Sequence, residues 1–414
     1  MERAILHIDM NNCFASIEIK LNPKLKNLPI AVSGSSSERH GIVLAKSEEA
    51  KKFGVKTAET IWQARRKCPE LILVKPHYDE YKKHSLWARD IYYSYTNQVE
   101  PFGLDEAWLD ITGSQKLFGT PMEIAEKIRK QIKNELGITV SIGLSYNKIF
   151  AKLGSDISAP DAITKISKDN FKDKVWPLEA DRMIGIGKSA KSKLNEHGIY
   201  TLGDIANSNR EFLVSILGSS GEKAWYNANG LEDSEVLDFN SREPIKSIGH
   251  GTTLVKNLEN EYEVHQVFQR LALKVGARLI ENNMEAMGLQ ISVKNSDLIT
   301  FNYQEGFDFS TFSSIIIKEK AMKLFKNYKW EKPIRFLEIR AINLTKDTNV
   351  QINFIESEDF DRKVNLDKAL YDLRTKYGGE KITFASQFEE NKMKESMQDI
   401  SSLPSSREEK NGKI

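Results

Sequence analysis

Two stretches of sequence organise this chain: Ala4-Ile5-Leu6-His7-Ile8-Asp9-Met10 and Gly103-Leu104-Asp105-Glu106-Ala107-Trp108-Leu109-Asp110-Ile111. Each is an apolar, strand-like run with carboxylates where a core would not ordinarily hold them. A carboxylate at the edge of a core costs several kcal/mol unless it is paired, hydrogen-bonded or metal-bound. Acids that converge from two segments can hold a pair of divalent ions for phosphoryl transfer. The alternative is that Asp9 caps the following helix and that Asp105 and Glu106 belong to a turn.

Composition bounds the class of protein. The 414 residues predict about two to four domains, and 40% hydrophobic with 29% charged residues is enough to build cores. We expect no membrane helix, because no apolar stretch approaches roughly 20 residues, and no signal peptide. Cys13 and Cys68 cannot form a disulfide framework or a zinc site between them, so the expected location is a reducing cytoplasm. A net charge of +2 permits nucleic-acid binding without indicating it.

Alternating strands and helices are predicted over the first third of the chain. An apolar helical stripe that includes Phe14 follows the first strand. A later helix is predicted to begin at Thr120-Pro121 and to be closed by Gly137, with a strand directly after it. The next helix is predicted from Asn147 to Leu153. The segment 11–77 is expected to form a small separate lobe over the sheet.

Two later regions have different patterns. Short helices are predicted after Phe171, where Gly185-Ile186-Gly187-Lys188 places two glycines around one apolar residue. This pattern is typical of a helix-hairpin-helix, whose exposed backbone N–H groups suit a DNA phosphate; a plain turn is the alternative. From 242 to 346 the order βαββαβ predicts a sheet with helices on one face. Lys294 and Arg340 would project from the open face, which is either solvated surface or a DNA-tracking surface.

Taken together, these segments resemble a Y-family DNA polymerase of the bacterial DNA polymerase IV branch, from Ile5 to about Leu344. Four stretches carry the resemblance: Asp9-Met10-Asn11-Asn12-Cys13-Phe14-Ala15-Ser16-Ile17-Glu18, Leu104-Asp105-Glu106-Ala107-Trp108-Leu109-Asp110, Ser145-Tyr146-Asn147-Lys148-Ile149-Phe150-Ala151-Lys152, and Gly185-Ile186-Gly187-Lys188. The resemblance implies an α+β, multidomain, right-hand polymerase. Its implied parts are a ferredoxin-like palm (1–10 and 78–167), small fingers (11–77), a helix-hairpin-helix thumb (168–234), a βαββαβ little finger (242–346) and a flexible tail (347–414).

The resemblance also implies roles for single residues. Asp9, Asp105 and Glu106 would be catalytic and, with the Met10 carbonyl, would bind two Mg²⁺ ions. The implied reaction is template-directed addition of dNTPs to a primer, with low fidelity and across damaged template. Phe14 occupies the family's sugar-discriminating position, where a bulky ring excludes a ribose hydroxyl; alternatively it is only core. In-line displacement needs no protein nucleophile, and none of the seven histidines falls into an obvious Ser/His/Asp arrangement.

Some positions depart from the family pattern. The family often grips the triphosphate with an aromatic residue and an arginine, where this chain has Glu48 and Lys51. Lys51 can act as a point charge but lacks the bidentate fork of arginine. Ala159 stands in place of a family lysine, and Gly103 in place of a serine. The cations expected to bind nucleotide, unless they are solvated surface, are Lys51, Lys46, Lys148 and Lys152.

The expected partners are primer–template DNA, dNTPs and a sliding clamp, and we expect the chain to act as a monomer. The predicted DNA contacts are Gly185, Gly187, Lys188, Lys294 and Arg340. A clamp-binding peptide is predicted at 351–355, on Gln351, Ile352, Phe354 and Ile355. Packing of this apolar patch on the protein itself is the alternative.

Three other functions stay open from the sequence. A metal-dependent nuclease with a helix-hairpin-helix domain would need the same clustered acids, and primer extension against product shortening separates the two. A palm-type nucleotidyl cyclase would share the acids but needs neither the hairpin nor the clamp peptide. A catalytically weakened DNA-binding homologue would follow if the triphosphate grip has decayed, and dNTP incorporation with Mg²⁺ decides that.

Overall fold

The structure, a computed structural model, describes residues 2–34, 41–238, 244–346, 357–378 and 381–382. These residues fall into two units, the first up to 238 and the second from 244 onwards. None of the helices in these ranges combines the length and apolar character that a membrane crossing requires. The predicted clamp peptide, 351–355, lies outside the described residues, as does the chain after 382.

The first unit contains a five-stranded and a three-stranded sheet. Its opening elements are β1 (Ile5–Met10), α1 (Cys13–Leu21), β2 (Ile30–Ser33), β3 (Val43–Lys46), α2 (Glu48–Lys52), α3 (Ile61–Lys67) and β4 (Ile72–Val74). The following elements are α4 (Tyr78–Tyr93), β5 (Val99–Phe102), β6 (Glu106–Asp110), α5 (Gln115–Phe118), α6 (Pro121–Leu136), β7 (Val140–Ser145), α7 (Lys148–Ile157) and β8 (Ile163–Lys165). The strand orders are β5-β6-β1-β7-β8 and β3-β2-β4.

Local sequence explains the helix boundaries. Thr120 and Glu123 form a capping box at the start of α6, and Gly137 ends that helix with φ 67°, as predicted. Helix α7 runs beyond the predicted end at Leu153 and stops before Pro160, which disfavours helical conformation in the residue ahead of it.

The two faces of the five-stranded sheet differ. One face is apolar and packs with α1, α4 and α6 in a core that includes Leu6, Ile8 and Leu109. The other face carries His7, Asp9 and Trp108 along β1 and β6, and α7 covers it. The three-stranded sheet has a smaller core of its own that includes Val43, Ala64 and Cys68. Both cysteines are buried and free.

Short helices follow, as predicted from the sequence. They are α8 (Phe171–Val175), α9 (Lys188–Glu196), α10 (Leu202–Asn207), α11 (Arg210–Leu217) and α12 (Ser219–Ala228). The chain after them returns to the five-stranded sheet, where Arg3 donates to the carbonyl groups of Asp233 and Ser234. Val236 is buried there with Trp108.

The second unit has the predicted βαββαβ order, followed by one more helix. Its elements are β9 (Ser247–Leu258), α13 (Glu261–Glu281), β10 (Glu285–Asn295), β11 (Thr300–Thr311), α14 (Ser314–Phe325), β12 (Ile334–Thr345) and α15 (Ser357–Tyr377). All pairings in the sheet β11-β10-β12-β9 are antiparallel. Strand β11 extends past the predicted end at Tyr303. The last helix begins before the predicted Leu366 and docks through Asp367, which accepts hydrogen bonds from Ser313 and Ser314.

Candidate active site

Strand pairing brings the predicted carboxylates together. Asp9 on β1 stands directly opposite Glu106 on β6, and opposed residues of an antiparallel pair have Cβ atoms about 4.5–5.5 Å apart. The Met10 N–H donates to the carbonyl oxygen of Asp105 over 3.0 Å, which ties the acidic loop to the end of β1. The turn alternative applies to Asp105, which lies in the turn before β6. The helix-cap alternative does not apply to Asp9, because the N-cap residue of α1 is Asn12.

The charges of Asp9 and Asp105 are not balanced by their surroundings. Burial, together with repulsion from Glu106 and Asp105, raises the pKa of Asp9 to about 8. Burial and the charge of Glu106 raise the pKa of Asp105 to about 6. Buried carboxylates with raised pKa values are stabilised when a cation binds between them. This half of the cluster therefore has the electrostatics of a cation site.

Glu106, in contrast, has its own counter-charge. Lys152 Nζ lies 2.7 Å from Glu106 Oε2 and 3.0 Å from Asp156 Oδ1. Burial opposes ionisation of Glu106, but the hydrogen bond from His7 and the charge of Lys152 outweigh it and lower the pKa of Glu106. Glu106 is thus kept ionised next to two carboxylates that resist ionisation.

His7 links this cluster to α7. It is completely buried, with Nε2 3.2 Å from Glu106 Oε2 and Nδ1 2.7 Å from Ser155 Oγ. Burial lowers the pKa of His7, so the ring is neutral. His7 thus contacts Glu106 on one side and Ser155 on the other, and the Ser155 hydroxyl donates to the Lys152 carbonyl over 2.8 Å.

This geometry adds a line of contacts, Ser155–His7–Glu106, that the sequence does not reveal. Ser155, His7 and Glu106 come from three separate segments and meet only in the folded chain. The line is not a hydrolytic triad, because Ser155 is only 3% exposed and a nucleophile must reach its substrate. We interpret it as a support that orients Glu106.

A glycine allows α7 to reach the charged face of the sheet. Gly143 on β7 is the register partner of His7. A Cβ atom at position 143 would lie 1.8 Å from the carbonyl oxygen of Ala151, so a side chain here would force α7 away. With glycine in place, Lys152 and Ser155 lie one helical turn apart and contact Glu106 and His7.

The donor set fits Mg²⁺. Carboxylate and carbonyl oxygens are the ligands that this ion prefers, and Asp9 and Asp105 carry the unbalanced charge. Within the described ranges, no group of three or more His, Cys, Asp and Glu side chains is already spaced to hold a metal ion, consistent with Glu106 being engaged by Lys152 and His7. The residues that could hold the ions are Asp9, Asp105, Glu106 and the Met10 carbonyl.

A polar cavity of about 210 Å³ opens directly after the strand that carries Asp9 and is lined in part by Asn12 and Glu48. Asn12 Nδ2 donates to Glu48 Oε1 over 2.8 Å, and Lys51 Nζ lies 3.5 Å from the same oxygen. Lys46 Nζ donates to Thr57 Oγ1 over 3.1 Å. Two of the positions that depart from the family pattern, Glu48 and Lys51, therefore contact each other, and Glu48 lines this cavity.

Phe14 is part of a fixed aromatic pair. Its ring stacks on Tyr81 with centroids 4.2 Å apart and planes 8° apart. The Tyr81 hydroxyl donates to the buried carboxylate of Glu18, and His77 Nδ1 lies 3.0 Å from both oxygens of that carboxylate. Phe14 packs against the main core of the first unit, which agrees with the interpretation of Phe14 as a core residue. A ring stacked on a neighbouring ring also suits steric selection of a sugar, so the two interpretations are compatible.

Two other predicted positions have structural partners. Lys148 Nζ donates to both carboxylate oxygens of Glu100, over 2.8 and 2.7 Å, and lies 4.9 Å from the centroid of the Trp108 ring. Gly103 adopts φ 79°, a conformation that disfavours the serine typical of the family. Arg89 donates to the Gly103 carbonyl over 3.1 Å, which fixes the turn ahead of Asp105.

The predicted DNA contacts are spread over both units. Gly185 has φ 95°, Gly187 is the N-cap residue of α9, and open space lies where a Cβ atom would project from either. Lys188 begins α9. In the second unit, Arg340 stands opposite Gln290 and Lys294 opposite Phe336, so these two cations share the face that the sequence predicts to be open.

Sequence analysis missed His7, Ser155 and Gly143. His7 lies two residues before Asp9, on the same face of a strand, and that spacing could have identified it. The roles of Ser155 and Gly143 depend on how α7 packs against β7, which no local pattern reveals.

Comparison with known proteins gives matches over most of the chain. Residues 8–156 match the impB/mucB/samB family, and residues 245–354 match the impB/mucB/samB family C-terminal domain. The chain is similar to DNA polymerase IV of Acetivibrio thermocellus, with 44% identity over 381 residues that cover 91% of this chain and 96% of that protein. It is also similar to DNA polymerase IV 2 of Bacillus subtilis, with 35% identity over 392 residues, 93% of this chain and 94% of that protein.

The fold is similar to that of a solved structure. The Y-family DNA polymerase chimera Dbh-Dpo4(243-245)-Dbh superposes with a TM-score of 0.74 at 25% sequence identity. The match covers 83% of this chain and 100% of that one.

Proposed function

The chain belongs to the impB/mucB/samB family of Y-family DNA polymerases, and on that basis we propose that it extends primers at Asp9, Asp105 and Glu106. It is a DNA-directed DNA polymerase of low fidelity that acts in translesion synthesis. The observation that carries the site assignment is the convergence of Asp9, Asp105 and Glu106, three half-buried carboxylates brought together by strand register, two of which have raised pKa values. The nuclease and cyclase alternatives have no support among the relatives.

The proposed cofactor is Mg²⁺, two ions per site, held by Asp9, Asp105, Glu106 and the Met10 carbonyl. Bound divalent ions would lower the pKa of the primer 3′-hydroxyl and stabilise the charge of the leaving pyrophosphate. The protein's own contribution is to hold the three carboxylates in position. Strand register holds Asp9 opposite Glu106, the turn at Gly103 places Asp105, and Lys152 with His7 keeps Glu106 ionised and fixed.

Selection and binding of the nucleotide are assigned to residues of α1, β3 and α2, next to the cavity that Asn12 and Glu48 line. Phe14, held flat on Tyr81, would exclude the 2′-hydroxyl of a ribonucleotide. Lys46 and Lys51 are the proposed cations for the triphosphate, and Glu48 would have to release Lys51 for that contact. Lys148 and Lys152 are bound to Glu100 and Glu106, so we assign them to the support of the site and not to the nucleotide.

The proposed division of labour follows the predicted boundaries. The palm is 1–10 with 78–167, the fingers 11–77, the thumb 168–234 and the little finger 242–346. Gly185, Gly187 and Lys188 would contact primer–template DNA by backbone N–H groups and charge, and Lys294 and Arg340 by charge. Gln351, Ile352, Phe354 and Ile355 remain the proposed contacts to a sliding clamp, and the proposed active form is a monomer in the cytoplasm.

Primer extension tests the function. The full-length protein, a labelled primer on undamaged and lesion-containing templates, dNTPs and Mg²⁺ should give longer products, and chelation should stop the reaction. An Asp105→Asn variant prepared in parallel controls for contaminating polymerases. Shortened products would indicate a nuclease, and an unchanged primer with normal DNA binding would indicate a non-catalytic homologue.

A further inference from the structure

The fingers segment presents an aromatic side chain that no part of the proposed mechanism uses. Trp62, on α3, is 66% exposed and is the most exposed aromatic residue in the ranges that the structure describes. Singly exposed apolar side chains are common on protein surfaces, but an exposed indole can also serve as a stacking platform for a nucleic-acid base.

Helix α3 carries this indole on its exposed face. Thr60 and Gln63 form a capping box at the start of the helix, and Ile61 and Ala64 bury its opposite face. The guanidinium of Arg66 lies 5.0 Å from the centroid of the Trp62 ring, a cation–π distance. A cation therefore lies over one face of the indole, and the ring stands on a capped helix whose opposite face is buried.

The exposed face of α3 is positively charged. Arg65 and Arg66 are both exposed, and neither has a carboxylate partner among the described residues. Lys67, the next residue, is by contrast paired with Glu59. Two exposed guanidinium groups beside an aromatic ring match a polyanion that also offers flat rings, which is the chemistry of single-stranded nucleic acid.

The position of the platform relative to the nucleotide cavity can be read along β3. At one end, Ile42 bridges to Thr60, and the Ile61 N–H donates to the Gly41 carbonyl over 3.1 Å, so this end abuts the start of α3. At the other end, β3 leads to Ser47 and Glu48 at the cavity. Five residues of strand span roughly 16 Å, which is about five base steps of one DNA strand at 3.4 Å each.

We propose that Trp62 and Arg66 form a stacking platform for an unpaired base of the template strand, within about five nucleotides ahead of the primer terminus. Base–aromatic stacking tolerates any base, so the contact would steady the incoming template without reading its sequence. This inference deepens the proposed polymerase function and rests on it. Tryptophan and arginine are also enriched at protein–protein contacts, but the two exposed arginines, and the short strand that leads from the start of α3 to the cavity, favour nucleic acid.

The first test measures how affinity depends on the template overhang. The full-length protein is titrated with primer–template DNA whose 5′ template overhang is 0, 2, 4, 6 or 8 nucleotides long, using fluorescence anisotropy. We expect wild-type affinity to rise with the overhang and then level off. Trp62→Ala should lose that rise, about 5- to 150-fold, as expected for loss of one stacked base, whereas Trp62→Phe should keep most of it.

A matched control separates stacking from general aromatic exposure. Trp87 on α4 is 45% exposed and contacts His84 edge-on at 5.0 Å, with no arginine over its ring among the described contacts. Trp87→Ala should leave the overhang dependence unchanged. An Arg66→Gln variant should lose part of the rise, because the indole then lacks its cation.

Photocrosslinking locates the contact without relying on activity. Overhangs that carry 5-iododeoxyuridine at one position each should crosslink to Trp62 most strongly within the first five unpaired nucleotides. The proposal is overturned if Trp62→Ala keeps the full overhang dependence, if it weakens blunt and overhanging DNA equally, or if crosslinks avoid α3. Absence of primer extension by the wild-type protein would instead contradict the polymerase function itself, so the two failures are distinguishable.

Discussion

The two halves of the carboxylate cluster differ in what balances their charge. Glu106 has Lys152 at 2.7 Å and His7 at 3.2 Å, and its pKa is lowered. Asp9 stands directly across the strand pair from it, yet its pKa is raised to about 8. The protein therefore supplies its own cation, Lys152, for Glu106. The charge of Asp9 has to be neutralised by a bound cation.

The largest expected effect comes from removing a carboxylate from either half of the cluster. Asp9→Ala, Asp105→Ala or Glu106→Ala should each reduce primer extension by about a thousandfold or more, because each removes several kcal/mol of transition-state stabilisation. Folding should survive, since removing mutually repelling carboxylates need not destabilise the protein. Single-turnover incorporation with Mg²⁺ measures the effect, and circular dichroism checks the fold. Near-normal incorporation by any of the three would remove that residue from the site.

A smaller effect is expected when only the internal cation is removed. Lys152→Met should lower incorporation about 10- to 100-fold, as is typical when a partner of a metal ligand is lost, because Glu106 then loses its fixed position. Lys320→Met is the matched control: Lys320 has the same 12% side-chain exposure and pairs with Glu305 in the second unit. Equal activity loss in both variants would show that Lys152 acts only through general stability.

Phe14→Ala leaves both halves of the cluster intact and should change selection instead. Removing the ring that stacks on Tyr81 should raise ribonucleotide incorporation relative to deoxynucleotide incorporation by about 10- to 100-fold, the scale of steric discrimination in a pocket. The measurement is incorporation of rNTP and dNTP opposite the same template base. An unchanged ratio in a folded, active variant would mean that Phe14 is core alone.

The two halves should also respond to pH with opposite signs when divalent ions are chelated. In the unfolded chain Asp9 loses its proton near its ordinary pKa of 3.8, whereas in the folded protein it holds the proton until about pH 8. Asp9 therefore favours the unfolded state increasingly as pH rises from about 4 to 8. Glu106 has a lowered pKa, so its contribution to stability is present above its ordinary pKa of 4.5 and is lost as pH falls.

Urea denaturation in the presence of a chelator checks these signs. Between pH 5 and 8, Asp9→Asn should be at least as stable as the wild type, with the largest gain at pH 8. Glu106→Gln should be less stable than the wild type, by about 1–3 kcal/mol, because Lys152 then keeps only one of its two carboxylate partners, Asp156. Equal slopes for both variants would contradict the contrast between the two halves.

The smallest effect on basal synthesis is expected far from the cluster. Replacing Gln351 and Phe354 together with alanine should leave clamp-free extension unchanged, because neither residue lies in a segment assigned to primer, template or nucleotide. Processivity with a loaded sliding clamp should fall, since an apolar anchor gains affinity only from a partner's pocket. Clamp titration decides the point: undiminished binding would mean that the peptide packs on its own protein.

Sequence patterns predicted a large part of this architecture for identifiable reasons. The capping box at Thr120 and the closing Gly137 are local, so the bounds of α6 followed from neighbouring residues. The βαββαβ order of the second unit followed from the alternation of apolar and polar residues in its strands. Strand β11 is longer than predicted, because the sequence has no strand-breaking residue at Tyr303. The carboxylates were found because Asp9 and Glu106 are chemically conspicuous in apolar runs.

Local sequence patterns could not predict which residue pairs with each charged side chain of the site. Lys152 looked like a phosphate-binding lysine, because nothing local shows that α7 turns it towards Glu106. His7 was passed over since its contacts, Ser155 and Glu106, lie 148 and 99 positions away along the chain. These roles depend on contacts between residues that are far apart along the chain. Local sequence patterns carry no information about such contacts.

Gly143 shows how such packing restricts the protein's evolutionary future. It has no reactive group, yet any descendant that acquired a side chain there would push α7 away from the sheet, since the added carbon would lie 1.8 Å from the Ala151 carbonyl. The displaced helix would carry Lys152 and Ser155 with it, so a steric mutation in the sheet would appear in the laboratory as a catalytic defect. Compensation would have to come from α7, and we expect the substitutions that the two segments tolerate to depend on each other.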